Sequence, residues 1–280
     1  MATVLALGLL AGLALYLSGR VGDLPIGRTC TVYASGPHHA DADTRRLRLS
    51  GEQMANAATI AAVGLRRHLP EQAIVVALAT ALQESGLENL PYGDRDSLGL
   101  FQQRPSQGWG TTEQIMDPRY AAERFYAALE RVRGWERMRV TDAAQAVQRS
   151  AFPEAYQKWA ADAALLAGAL AGRTEGAVTC SVLRRPAVRG SAAATALADQ
   201  LILDWGRLTT ATPAEMLGVA VPVADVRSGW QYAHWLVSHA ADHGVKRVEY
   251  GGLRWTARDG AWSRAPDTST RDLVVAEVFS

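Results

Sequence analysis

The chain has 280 residues, 48% of them hydrophobic, and 29 Lys and Arg against 28 Asp and Glu leave a net charge of +1. That apolar content excludes a globally disordered chain. A near-zero charge without a dense basic run excludes nucleic acid as the main partner, because phosphate recognition needs a concentrated basic face. Ala2 to Ser18 (ATVLALGLLAGLALYLS) is apolar almost throughout, and charge begins only at Arg20. A helix of this length barely crosses a hydrocarbon core of about 30 Å. It reads as a signal peptide or a short N-terminal anchor that places the chain on the membrane if uncleaved, with a buried core helix as the rival. No Lys or Arg precedes it and no clean A-x-A site follows, so cleavage and anchoring both stay open. Either way the body of the chain is read as exported, facing the cell wall or secreted.

Residues 19–30 read as a stalk, and Thr31 to Ala34 and Arg46 to Leu49 as short strands around a polar loop with Pro37, His38 and His39. Ser50-Gly51-Glu52-Gln53 is a capping-box pattern opening a helix to about Arg67. Pro70 opens the next helix, EQAIVVALATALQES. It is apolar nearly all round, which predicts a central buried helix, and Gly86 marks its stop. Asn89 to Gly110 shows little helical period. Helices follow near 118–133, 141–150 and 153–171. Residues 172–190 read as linker-like. After them come an Ala-rich helix to Trp205, a loop with Pro213 and Pro222, a helix over 229–243, and strands at 246–250, 253–256 and 273–279. The class is α+β, a mainly helical domain with a small β/loop lobe plus a small C-terminal α+β module. The boundaries are 1–29 for leader and stalk, 30–180 for the larger domain, 181–190 for the linker and 191–280 for the module.

Cys30 and Cys180 are the only cysteines and bracket the larger domain. In an oxidising compartment they can pair, stabilising by about 4–5 kcal/mol in the chain-entropy model; two buried free thiols are the alternative. Two cysteines make no tetrahedral zinc site without histidine partners, and His38-His39 has no recognised ligand spacing. His239 and His243 share a helix face without an H-E-x-x-H pattern or a third ligand. No metal and no cofactor are expected.

Glycoside cleavage needs a carboxylic acid that keeps its proton long enough to hand it to the leaving oxygen, and an apolar setting favours the neutral acid. Glu84 is the one acid between Glu71 and Glu88, at the end of IVVALATALQ. A helix-end Glu alone is more often a solvated surface group. Its context is ATALQESGLENLPYGDRDSLGLFQQ. Glu84-Ser85-Gly86 followed by Ser97-Leu98-Gly99-Leu100-Phe101-Gln102 resembles the E-S and G-L-(M/F)-Q motifs of the lytic transglycosylase and goose-type lysozyme families. Asp117-Pro118-Arg119-Tyr120-Ala121 resembles their D-P-x-x-A helix start. Gln145 to Ser150, followed by Tyr156, takes the place of their A-x-N-x-G…Y segment. The resemblance covers about residues 50–170 and is nearest to exported actinobacterial proteins of unknown role that share GDRDSLGLFQQRPSQGWG.

The resemblance implies packed helices with a small lobe over a glycan groove, and Glu84 as general acid. Ser97 and Phe101 would lie in the binding strip, and Gly99 would let the backbone approach the sugar. Gln102 and Gln103 would bond sugar hydroxyls or N-acetyl groups, with Gln148 in the place of the family's Asn. Tyr92, Trp109, Tyr120 and Tyr156 are candidates to stack on pyranose faces, with core packing as the equal alternative. A transglycosylase needs no second catalytic carboxylate, whereas an inverting hydrolase needs one about 6.5–9.5 Å away. Asp94 and Asp96 are the candidates, against a reading in which Asp94 starts a turn and Asp96 pairs with Arg95 or Arg104. The family's Asn and its A-Y-N-A-G string are absent, which touches the 6-hydroxyl pathway. The stretch from Trp230 to Trp255 weakly resembles small modules of exported cell-wall proteins, some related to D-Ala-D-Ala carboxypeptidases. The chain ends without their histidine pair, so the module reads as accessory or peptidoglycan-binding. Together these imply an exported muramidase or lytic transglycosylase acting on peptidoglycan glycan strands, in a setting such as a secretion or conjugation apparatus. A non-catalytic wall-binding or scaffold protein of the same shape is the alternative.

Overall fold

A computed structural model describes residues 29–35, 45–182, 186–206, 208, 210, 216–265 and 272–280. The apolar leader, residues 19–28 of the 19–30 stalk, Pro37, His38, His39 and Pro213 lie outside them, and the last two stalk residues, Thr29 and Cys30, are strand. Among the described residues no helix is long and apolar enough to cross a membrane.

Strands β1 (Thr29–Tyr33) and β2 (Arg46–Ser50) pair antiparallel, and β3 (Val178–Cys180) joins the other edge of β1. Cys30 and Cys180 are register partners and form a disulfide, so the loop they bracket is closed covalently. β3 falls within the stretch read as linker-like, where three residues are too few to show a strand period. β2 runs straight into α1 (Gly51–Arg66), whose capping box forms as expected: Gln53 N–H donates to Ser50 Oγ at 3.1 Å and Ser50 N–H to Gln53 Oε1 at 2.8 Å. α2 (Glu71–Glu84) follows Pro70 and buries every residue from Ala73 to Leu82, as a central helix should.

Beyond α2 come a short α3 (Thr112–Ile115), α4 (Pro118–Leu129), α5 (Val140–Gln148) and α6 (Ala160–Leu170). α6 starts later than its expected position at 153. Residues 153–156 form a turn and Gln157–Trp159 a single 3-10 turn, so Tyr156 sits off the helix. α4 serves three directions at helical spacing. Ala121, Ala122, Phe125, Tyr126 and Leu129 enter the core. Glu123 pairs with Arg66 and Arg67 at the end of α1, and Glu130 with Arg67. Tyr120 and Arg124 reach the 104–110 loop.

The C-terminal unit contains α7 (Gly190–Trp205), α8 (Val226–Ser238), α9 (Ala240–His243) and an antiparallel sheet ordered β4-β8-β5-β6-β7. The strands are β4 (Gly218–Pro222), β5 (Val245–Tyr250), β6 (Leu253–Thr256), β7 (Trp262–Arg264) and β8 (Leu273–Val278). β4 occupies ground read as loop because of its prolines; it is an edge strand, where Pro222 costs no ladder bond. Val274, Ala276 and Val278 alternate inward on β8 beneath α7 and α8.

The two units share one apolar core. α1 packs against both α7 and α8, and Ile60, Leu197, Leu201 and Val237 belong to the same buried cluster. Polar ties cross the same seam. His234 donates to the Ala169 carbonyl at 2.8 Å and Arg227 to the Ala171 carbonyl at 2.8 Å, satisfying the open end of α6. Asp204 of α7 is fully buried and accepts from Thr59 of α1 (2.8 Å), Arg119 of α4 (2.6 Å) and Trp235 of α8 (2.8 Å). Residues 191–280 are therefore fused to the larger domain through its core, not tethered beside it.

Candidate functional site

α2 ends where the chemistry is expected. Gly86 adopts φ +65° and its N–H bonds the Leu82 carbonyl at 3.2 Å, an αL termination that favours glycine. The end is braced on two sides. From α1, Gln53 Nε2 reaches the Gly86 carbonyl (2.9 Å) and Asn56 Nδ2 the Leu87 carbonyl (2.8 Å). From the loop, the Leu100 carbonyl accepts from Ser85 Oγ at 2.8 Å. Gln53 and Asn56 are site supports that the sequence reading missed; the available signal was two amides in an otherwise small and apolar helix.

Glu84 is half-buried. Its Oε1 accepts from the Tyr156 hydroxyl at 2.6 Å and from Gln148 Nε2 at 3.1 Å, and the same Gln148 nitrogen donates to the Phe101 carbonyl at 2.9 Å. Among the described residues, Oε2 receives no hydrogen bond. Two donors on one oxygen make Oε1 the acceptor in either ionisation state, so a bound proton resides on Oε2. That is the arrangement a general acid needs: one oxygen fixed, the other presenting the proton. Burial, then the bond to Glu84, pushes the Tyr156 phenol far above its ordinary value, so it stays a neutral donor.

Loop 88–110 folds over this helix end. Leu98 and Gln103 form a two-residue antiparallel bridge, and Gln102 takes a left-handed conformation (φ 47°) at the tip between them. Leu87, Arg95, Gln102 and Arg149 are four of the five non-glycine residues with positive φ among the described ones. All four lie in the loop or helix ends around Glu84, and backbone strain of this kind clusters at functional sites.

The predicted site residues divide sharply. Glu84, Gln148 and Tyr156 converge, but Tyr156 is buried and uses its hydroxyl on Glu84, so it is not a stacking platform. Phe101 is also core: its ring stacks on Phe125 at 4.7 Å, and only its carbonyl serves the site. Gln103 is 2% exposed and donates to the Ala121 carbonyl at 3.0 Å, which removes it from glycan contact. Gln102 Nε2 is spent within the loop, on the Tyr92 and Gly99 carbonyls. Gly99 does permit a close approach, but to protein: a Cβ there would lie 2.8 Å from the Ile115 carbonyl oxygen, and φ is +74°. Ser97 is buried, with its N–H on the Asp94 carbonyl.

Asp96 follows its structural reading. It accepts from Arg104 Nε at 2.7 Å and from the Ser106 N–H at 2.8 Å. Ser106 first and Arg104 next hold its carboxyl well below the usual range. Asp94 is 91% exposed with Arg95 at 3.8 Å. Among the aromatics, Tyr92 is 68% exposed and open to stacking. Trp109 and Tyr120 are half-buried; the Tyr120 hydroxyl donates to the Trp109 carbonyl at 3.2 Å, with its ring packed over Gly110. His239 is buried and stacked on Trp235, and no cluster of three or more potential metal ligands occurs among the described residues.

A cleft of about 650 Å³ opens beside Gln148, between the 107–109 loop, α4 and the end of α5. No family model matches the chain, and no curated protein is significantly similar to it.

Proposed function

We propose that the protein is an exported peptidoglycan-cleaving enzyme acting on the bond between N-acetylmuramic acid and N-acetylglucosamine, with Glu84 as general acid. The observation that carries the reading is the two-donor clamp on Glu84 Oε1, at the end of an apolar helix and against the Gly99–Gln103 strip. Glu84 protonates the leaving oxygen through Oε2 as the C1–O bond breaks, and for an anhydro product its carboxylate then takes the proton of the 6-hydroxyl as O6 bonds C1. Engagement of Asp96 by Arg104 and Ser106 favours the substrate's own muramoyl 6-hydroxyl as the nucleophile over water activated by that carboxylate. Asp94 is the remaining candidate base for the hydrolytic alternative. Cys30–Cys180 pairing fits an oxidising location, and the Ala2–Ser18 segment would supply export or anchoring.

Mass spectrometry of products from purified sacculi tests the proposal. Wild-type protein is expected to release muropeptides with 1,6-anhydro ends, and Glu84→Gln to release none. Reducing ends would move the mechanism to hydrolysis. Release by Glu84→Gln equal to wild type would sink the assignment, and binding to sacculi without cleavage would make the protein a wall-binding scaffold.

A further inference from the structure

α2 carries Glu84 at one end, and Glu71 at its other end lines a second cleft, of about 920 Å³. The helix has 14 residues, so its ends are about 20 Å apart and this cleft is no part of the Glu84 site. It lies on the seam between the two units. The end of α1, the turn into α2, the residues after α6, the end of α7 and the first turns of α8 all line it. Ligand sites favour such junctions, and the volume lies within their usual range. The seam is tightly built here. A Cβ on Gly172 would lie 2.1 Å from the Arg227 carbonyl oxygen, and Arg227 and Gln231 both donate to the Ala171 carbonyl. His68, the fifth described non-glycine residue with positive φ (57°), also lines the cleft. The one such position away from Glu84 thus falls at the second concavity.

The lining selects a class of ligand. Its arginines are already matched: Arg66 pairs with Glu123 at 3.4 Å, and Glu71 takes both Arg173 and Arg227. Asp225 caps α8, accepting from the Ser228 N–H at 2.9 Å. An ion would meet its own sign of charge beside the opposite one, so the walls favour a neutral molecule. A wholly apolar one would strand these polar groups without partners. Donors and acceptors stand side by side around one aromatic pair, Trp205 and Tyr232, packed edge to face at 4.7 Å. Neutral charge, adjacent hydroxyls and an apolar ring face are together the chemistry of a pyranose.

We propose that the seam cleft is a second glycan-binding site, which takes neutral N-acetylhexosamine units of wall strand remote from the bond cut at Glu84. It holds the enzyme on its insoluble substrate and gives residues 191–280 a share in binding. The inference rests on the peptidoglycan reading of the substrate, not on the role of Glu84. Two sites on one polymer raise the local concentration of strand at Glu84 without any new contact there.

The test is calorimetry on the full chain carrying Glu84→Gln, titrated with a tetramer of N-acetylglucosamine, beside cleavage assays with Glu84 present. Two binding events per chain are expected. Ser228→Trp, which fills the cleft, and Tyr232→Ala, which empties it, are each expected to leave one. With Glu84 present, both variants are expected to cleave short soluble strands at the wild-type kcat/KM, while KM on intact sacculi rises about tenfold. The two changes are opposite in volume, so a folding defect in one does not decide the outcome. Unchanged binding and unchanged sacculus KM in both variants overturn the second site and leave Glu84 intact. Equal losses on soluble strands and sacculi overturn it too, because a tethering site acts only on the polymer. A single binding event that Ser228→Trp abolishes, with no cleavage by wild type, supports the cleft and sinks the enzyme reading of Glu84.

Discussion

The hydroxyl of Tyr156 is 2.6 Å from Glu84, and its value to the site is as a donor rather than as a ring. Tyr156→Phe keeps the buried packing and deletes that donor. A hydrogen bond to a charged group contributes about 1.5–3 kcal/mol, so kcat is expected to fall about 10- to 100-fold with KM nearly unchanged. Steady-state kinetics on solubilised strands separates this from a binding role, which would raise KM instead. At this scale the sequence was legible where a residue's chemistry is local. Glu84 stood out because its helix is otherwise apolar, and the pairing of Asp96 with Arg104 was one of two open readings. Gln103 and Phe101 were misplaced for a shared reason. A motif tells which residues are close along the chain, not which face the turn at Gln102 sends inward. That turn bridges Leu98 to Gln103 and drives both Phe101 and Gln103 into the core.

α1 and α2 were readable as helices to within a residue or two at most ends, because capping residues and apolar runs act over a few positions. β3, β4 and β7 were not, since a strand of three residues or one bounded by proline takes its stability from neighbours distant in sequence. Asp204 belongs to the same class of hidden feature. An acid in an Ala-rich helix reads as solvated, yet it joins α7 to α1, α4 and α8. Its partner Arg119 opens α4, and the Ala121 carbonyl two residues on anchors Gln103. Asp204→Ala leaves the Trp235 indole N–H and Arg119 Nε without that acceptor inside the seam. The expected cost is about 3–5 kcal/mol, seen as a lower urea midpoint for the whole chain in one transition. An unchanged midpoint would show that the network contributes nothing net.

Across the whole molecule, acid is the condition to which the fold should respond. Burial lowers His234 to about 4, opposed only in part by its bond to the Ala169 carbonyl. Its unfolded value is about 6.5, so between these limits the unfolded chain binds the extra proton. The stabilisation is complete above about pH 6.5 and is lost as pH falls toward 4, amounting to about 3 kcal/mol. Burial lowers His239 and His243 as well, adding in the same direction. Thermal melts should therefore show Tm dropping by several degrees from pH 7 to pH 5, with a shallower slope for His234→Gln. A pH-independent Tm over that range would contradict neutral burial of these histidines.

The shared core has a consequence for how the chain is made. The ribosome completes the Glu84 half while the residues that cover α1 and satisfy Thr59 and Arg119 are still untranslated. At about 5–20 residues per second, the roughly hundred residues after Cys180 take about 5–20 s to follow. For that interval the nascent chain carries an uncovered apolar helix face, with Thr59 and the Arg119 Nε lacking their Asp204 acceptor. The half that bears Glu84 is therefore expected not to stand as a cassette without the half that closes it, and expression of residues 29–180 alone checks this by solubility.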